Sequence, residues 1–195
     1  MFFKMVKNDF LRNKVVASAV FIFITMAVIL TASAINNIAN LLQSMSQLQE
    51  RAVPADITQM HSGEFSQADI DQFTEQQREH IAMQETMVLL TVDGSHIHYG
   101  GSQTMAGTIQ DISFVVQNRQ FDFILDLNNE KLDIAAGEIA VPIYFMQQYD
   151  LKIGETITVR NGEYEQEFVI SDYARDYQMN SSFTSSKRFV LNQAD

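Results

Sequence analysis

The chain has 195 residues, no cysteine and a net charge of −11. That length admits one medium domain plus an anchor, and the missing cysteine excludes disulfides, thiolate catalysis and lipid attachment through cysteine. Charge is split by position: Lys4, Lys7, Arg12 and Lys14 against Asp9 give residues 1–14 a charge of +3, which leaves −14 on the remainder. So acidic a body repels phosphate backbones and argues against a nucleic-acid partner.

Val15 to Ile35 is a run of 21 residues without Asp, Glu, Lys or Arg. At about 1.5 Å per residue it spans about 30 Å, the thickness of a hydrocarbon core. Ser18, Thr25, Thr31 and Ser33 are tolerable there because hydroxyls bond back to helix carbonyls. The basic flank predicts a cytoplasmic N-terminus and an exported body, with Arg12 and Lys14 fixing the topology. Ala32-Ser33-Ala34 also fits a signal-peptide cleavage site, so a cleaved leader stays open as an alternative. Beyond it Ile35, Ile38, Leu42, Met45 and Leu48 recur at spacings of three and four. They make an amphipathic stripe that predicts a stalk helix running to about Gln49 and packing on another helix or on the body.

Pro54 is predicted to end the stalk, and Ala55 to Met60 reads as a strand. Ser66 with Asp69 makes a capping box, and Phe65 with Ile70 a hydrophobic staple, for a helix to about Glu79 whose Ile70 and Phe73 face the core. Met87 to Val92 reads as a buried strand closed by an Asp93-Gly94 turn, with Ser95 to Tyr99 pairing back as a hairpin. Gly100, Gly101 and Gly107 mark a loop. Phe114 to Val116 and Phe121 to Leu127 read as short strands, and Asn128-Asn129 as a turn. Ile139 to Val141 is a short strand and Pro142 starts a helix over Ile143 to Tyr149. Thr156 to Arg160 and Glu165 to Ser171 are hairpin partners across Asn161-Gly162. Arg188 to Leu191 is a last short strand. The fold class is an α+β extracytoplasmic domain preceded by one long N-terminal transmembrane and stalk helix, with no internal repeat.

Chemistry-bearing patterns are sparse. No glycine opens a phosphate-binding loop or a dinucleotide fingerprint. His96 and His98, with Asp93 near, share a strand face but lack a third ligand. His61 and His80 stand alone. Ser181, Ser182, Ser185 and Ser186 have no histidine or glycine elbow beside them. No catalytic, cofactor or metal residues are expected, and no enzymatic activity.

Two stretches read together as a family pattern. One is the basic amphipathic segment Phe2 to Asn13, the apolar span and the long helix to Pro54-Ala55-Asp56. The other is Gly137-Glu138-Ile139-Ala140-Val141-Pro142, then Leu151-Lys152-Ile153-Gly154-Glu155-Thr156-Ile157, then Phe168-Val169-Ile170-Ser171. It continues through Ala174-Arg175-Asp176-Tyr177-Gln178-Met179-Asn180-Ser181 to Ser185-Ser186-Lys187-Arg188-Phe189. This order, over nearly the whole chain, resembles the FtsX-like (MacB-type) permease subunits of ABC transporters. The resemblance implies residues 1–14 as a cytoplasmic amphipathic segment, 15–35 as the transmembrane helix and 36–52 as the stalk. Residues 53–195 would be a MacB-like extracytoplasmic domain.

It implies coupling to a cytoplasmic ABC ATPase subunit, with peptide, lipoprotein or cell-wall hydrolase partners as substrates of the family. Such permeases continue through further membrane helices. The expected partners are therefore that ATPase, a second permease copy or the remaining permease helices, and membrane lipid. Ile35, Ile38, Leu42, Met45 and Leu48 are the expected stalk contacts, and Arg175, Asp176, Gln178 and Asn180 the distinctive loop, as a surface brace or as substrate contacts. A membrane-anchored or secreted binding module is the alternative, needing no further helices.

Overall fold

The structure, a computed structural model, describes residues 12–179 and 186–195. It divides into two compact units, residues 1–46 and 47–195. The segment Phe2 to Leu11, Asn180 and the serines at 181, 182 and 185 lie outside the described residues.

The first unit is built on α1, an unbroken helix over Lys14–Ala52 whose last turn belongs to the second unit. It is long and apolar enough to cross a membrane. Every large apolar side chain from Val15 to Met45 is exposed, including Ile35, Ile38, Leu42 and Met45 of the stripe. Leu48 of the stripe is half-buried and belongs to the second unit. The Thr25 and Thr31 hydroxyls donate to the carbonyls of Phe21 and Ala27, each at 2.8 Å, which keeps their polar atoms inside the helix.

The second unit is a mixed eight-stranded sheet in the order β1-β4-β8-β5-β7-β6-β2-β3. Its strands are β1 Leu90–Val92, β2 Ile97–Tyr99, β3 Gln103–Thr104, β4 Asp111–Val116, β5 Glu138–Pro142, β6 Thr156–Asn161, β7 Tyr164–Ala174 and β8 Ser186–Leu191. Two helices accompany them, α2 over Gln67–Gln76 and α3 over Ile143–Tyr149. Pairing is parallel between β4 and β8 and between β5 and β7, and antiparallel elsewhere.

Strand alternation sends side chains to two opposite faces, and both are covered. On one face Ile112, Phe114, Ile139, Val141, Phe168, Ile170 and Phe189 pack under α3, whose Phe145 stacks on Phe189 at 5.4 Å. On the other, Val115, Ala140, Ala174 and Val190 lie beneath Ile124, Leu132 and Ile134 from the irregular segment between β4 and β5. A β-bulge in β7 opposite Ile139 and Ala140 carries one extra residue, Ser171. Upstream, Phe168 and Ile170 share the α3 face; downstream, Ala174 points to the other. The bulge therefore reverses the parity of everything after it.

Local signals and structure agree at several points. α1 stops two residues before Pro54. Ser66 caps α2, accepting from the Asp69 N–H at 3.3 Å. Asn161 pairs with Tyr164 across Gly162, whose φ of 64° gives the left-handed turn the hairpin requires.

Other expectations are corrected. Ala55 to Met60 forms no strand: Ile57 is 88% exposed and no neighbouring strand accepts the segment. α2 ends at Gln76 and buries no residue, and Phe73 is exposed rather than core-facing. Only Leu90–Val92 of the Met87 to Val92 run is a strand, an edge one with Leu90 exposed. β2 does not pair back on β1. A 3-10 turn over Gly94–His96 carries the chain to the far side of the sheet, where β2 joins β6 and β3. His96 sits in that turn and His98 in β2, so they do not share a strand face. Phe121 to Leu127 is irregular, with Leu125 alone bridging to Lys131 and Arg175.

The chain arrives at and leaves the sheet at one end. Val116 ends β4 opposite Leu191, the end of β8. The loop after β4 reaches back to Ala52 and Val53 through Asp122 and Phe123, and forward to Gln193, whose Oε1 accepts from Arg119 at 2.9 Å.

Two substitutions probe this packing. Phe189→Ala removes the ring shared by Phe145 and Phe114 and is expected to cost about 3–5 kcal/mol in urea unfolding. A Cβ added at Gly94 would lie 2.4 Å from the Met105 carbonyl oxygen, so Gly94→Ala is expected to lower the melting temperature although the position is in a surface turn.

Candidate functional site

Arg188 is the residue the apolar pattern of β8 hides. It sits between Lys187 and Phe189 in a strand central to the sheet and is 4% exposed. Alternation puts Lys187 and Phe189 toward α3 and Arg188 with Val190 on the opposite face. There it meets two carboxylates. Asp176 takes a two-pronged contact, Nε to Oδ2 at 2.5 Å and Nη2 to Oδ1 at 2.7 Å. Asp122 accepts from Nη1 at 2.9 Å, and the Met87 sulfur accepts from the same nitrogen at 3.4 Å.

Each carboxylate is placed by its own local structure. Asp176 follows β7 two residues after Ala174, so it owes its side of the sheet to the bulge at Ser171. Its Oδ1 also accepts the backbone N–H groups of Gln178 and Met179, at 2.9 and 3.0 Å, which folds the start of the β7–β8 connection around it. Asp122 lies in the loop after β4 with φ of 52°. Glu85 holds that loop, its carboxylate accepting the N–H groups of Arg119 at 2.6 Å and Gln120 at 2.8 Å.

Burial alone disfavours the Arg188 cation, but the hydrogen bonds and charge of Asp176, and then of Asp122, outweigh it. The guanidinium is held above its ordinary value and stays charged. With one cation between two carboxylates, the cluster is ionic and hydrogen-bonding in character, a tie between three chain segments.

The loop that carries Asp122 also bonds a fourth segment, the end of α1. The Asp122 N–H donates to the Val53 carbonyl at 2.7 Å and the Phe123 N–H to that of Ala52 at 2.8 Å. Val53 itself closes the helix, its N–H donating to Gln49 at 3.1 Å in the single-bond left-handed cap. That position favours glycine, yet here a β-branched residue takes a φ of 46°. Proline follows it and pushes a preceding residue toward extended backbone. A residue so held stores about 1–3 kcal/mol of strain, which its surroundings must offset.

No family model, curated protein or solved structure matches this chain.

Of the residues singled out by sequence, Asp176 is in the cluster and Gln178 meets it through its backbone. Arg175 stands beside it, bonding Asn129 Oδ1 at 2.6 Å and pairing its backbone with Leu125. Asn180 lies outside the described residues, and Ile35, Ile38, Leu42 and Met45 belong to the first unit. Sequence reading placed Arg188 in the family pattern but not among the site residues, and it missed Asp122. The one available signal was a pair of adjacent cations, Lys187 and Arg188, heading an apolar strand. Among the described residues no three His, Cys, Asp or Glu side chains gather as a metal site.

Lys187 faces the opposite side, its Nζ near Gln110 Oε1 at 3.3 Å and the Tyr144 ring at 5.2 Å. Burial pushes its ammonium below the usual lysine value, against the pull of Asp176. A lysine with a lowered native value carries fewer protons folded than unfolded in the alkaline window between the two values, so this group adds stability as pH rises through it.

Arg188→Met is expected to cost about 3–5 kcal/mol in urea unfolding, because it leaves two carboxylates without their cation. Arg160→Met, which breaks the exposed pair with Glu165, should change the midpoint little. Comparing wild type with Lys187→Met from pH 7 to 10 should show the steeper gain in the wild type.

Proposed function

We propose that the chain is the anchor and extracytoplasmic domain of an FtsX-like (MacB-type) ABC permease. α1 crosses the membrane with its N-terminus in the cytoplasm, and the sheet domain lies outside. The chain carries motion, not covalent chemistry: a cytoplasmic ATPase drives the membrane helices, and α1 passes displacement to the exported domain. The observation that carries this reading is the pinning of the end of α1 into the domain by the Asp122 and Phe123 N–H groups. Displacement of a helix reaches a domain only through a joint stiff enough to transmit it, and these two bonds are backed by a buried ion cluster.

Two further observations support it. The apolar side chains of α1 are exposed along its length, as a lipid-facing helix requires. The domain is reached at Val53 and left after Leu191 at the same end of its sheet. On this reading the remaining permease helices or a second permease copy would complete the membrane part.

The test is co-expression of the chain, tagged at its C-terminus, with the ABC ATPase subunits encoded beside it. Full-length protein in the membrane fraction, a tag digested from outside the cell, and ATPase retained on the tag are expected. A shortened product released from membranes without ATPase would instead indicate an exported binding module.

A further inference from the structure

We propose that Val53 and Asp122 form a strained joint at the end of α1 and that Arg188 is the clasp that keeps it closed. Its use in transmission rests on the permease reading; the joint itself does not.

Val53 and Asp122 have φ values of 46° and 52°, and the two left-handed residues are joined directly by the 2.7 Å bond from the Asp122 N–H to the Val53 carbonyl. Neither is glycine, and Val53 is β-branched and precedes proline, two reasons for its backbone to prefer the extended region. The αL cap at Val53 is therefore imposed by what surrounds it. Asp122 holds the Val53 carbonyl beside the Phe123 bond to Ala52, and Asp122 is fixed through its side chain by Arg188 Nη1. The guanidinium is in turn oriented by its two-pronged contact with Asp176, which also organises the Gln178–Met179 turn.

Two states follow from this chain of contacts. In the closed state Asp122 is clasped, Val53 is left-handed, and the last turn of α1, Gln47–Ala52, is fixed on the domain. In the open state Asp122 leaves the guanidinium, which retains Asp176. Val53 then relaxes to the extended backbone favoured before Pro54, and the last helical turn is re-aimed. Because Asp176 and Asp122 share one guanidinium, a rearrangement of the Gln178–Met179 turn that re-orients Arg188 would open the joint. Arg188 is thus a positioning residue that couples the base of the β7–β8 connection to the end of α1.

The absence of native cysteine makes the test clean. In the full chain in detergent micelles, Gln47→Cys and Asp133→Cys carry nitroxide labels, and pulsed electron resonance reads the distance between them. The parent should give one narrow distance. Asp122→Ala should add a second population, and Val53→Asn in that background should suppress it, because asparagine accepts the left-handed region. A single unchanged distance in Asp122→Ala, or a second distance indifferent to Val53→Asn, overturns the proposal. Should Asp122→Ala fail to fold, Val53→Asn alone reads the strain. Its melting temperature should rise by about 2–6 °C, and an equal or lower value overturns the joint. No ATPase enters this measurement, so failure of the joint and failure of the permease reading give separate signatures.

Discussion

One guanidinium with two carboxylates organises the domain. Arg188 sits on the strand that joins the two halves of the sheet, and the residues it holds come from the loop after β4 and from the end of β7. Buried ion pairs seldom add net stability over apolar substitutes of the same shape. What this one supplies is geometry: apolar contacts are indifferent to small rotations, whereas a fork of N–H groups accepts carboxylates in few orientations. The bulge at Ser171, the Glu85 cap on the Arg119–Phe121 turn and the strained cap at Val53 all serve to bring charges to that fork or are held by it.

The domain around the fork is asymmetric in how firmly it is built. The sheet centre is enclosed on both faces, by α3 on one and by the irregular segment between β4 and β5 on the other. The excursion from Pro54 to Thr86 is different. Its helix buries no residue, and away from Gln84 and Glu85, which bond the Arg119–Phe121 turn, its polar contacts are internal, such as Thr86 to Gln67. On the proposed permease reading, the stiff part is the one connected to α1, and the excursion is an appendage to it.

Local structure was legible in the sequence, and pairing was not. The Ser66 cap, the break at Pro54, the helix after Pro142 and the Asn161-Gly162 hairpin depend on a few neighbouring residues, whose steric and hydrogen-bonding preferences survive any context. Ala55 to Met60 and Phe121 to Leu127 carry strand-like composition, but a strand needs a partner edge, and the first is offered none while the second is offered one only at Leu125. Assigning β2 to β6 and placing β8 between β4 and β5 are long-range choices made by which faces bury Ile97 and Phe189. The site was half legible: Asp176 stood out in a distinctive segment. Arg188 was masked by the apolar strand that buries it, and Asp122 looked like a polar interruption between Phe121 and Phe123.

The position of β8 has a consequence for synthesis. It is the last of the eight strands in sequence, yet it alone connects β1 and β4 to β5, β7, β6, β2 and β3. While the chain emerges residue by residue, the domain exists as two half-sheets, each with an open hydrogen-bonding edge that only Ser186–Leu191 can fill. Contacts so distant in sequence close slowly, and open strand edges invite pairing with other chains in the interval. A domain of this order has its weakest moment just before completion, and its dependence on chaperones should be greatest then.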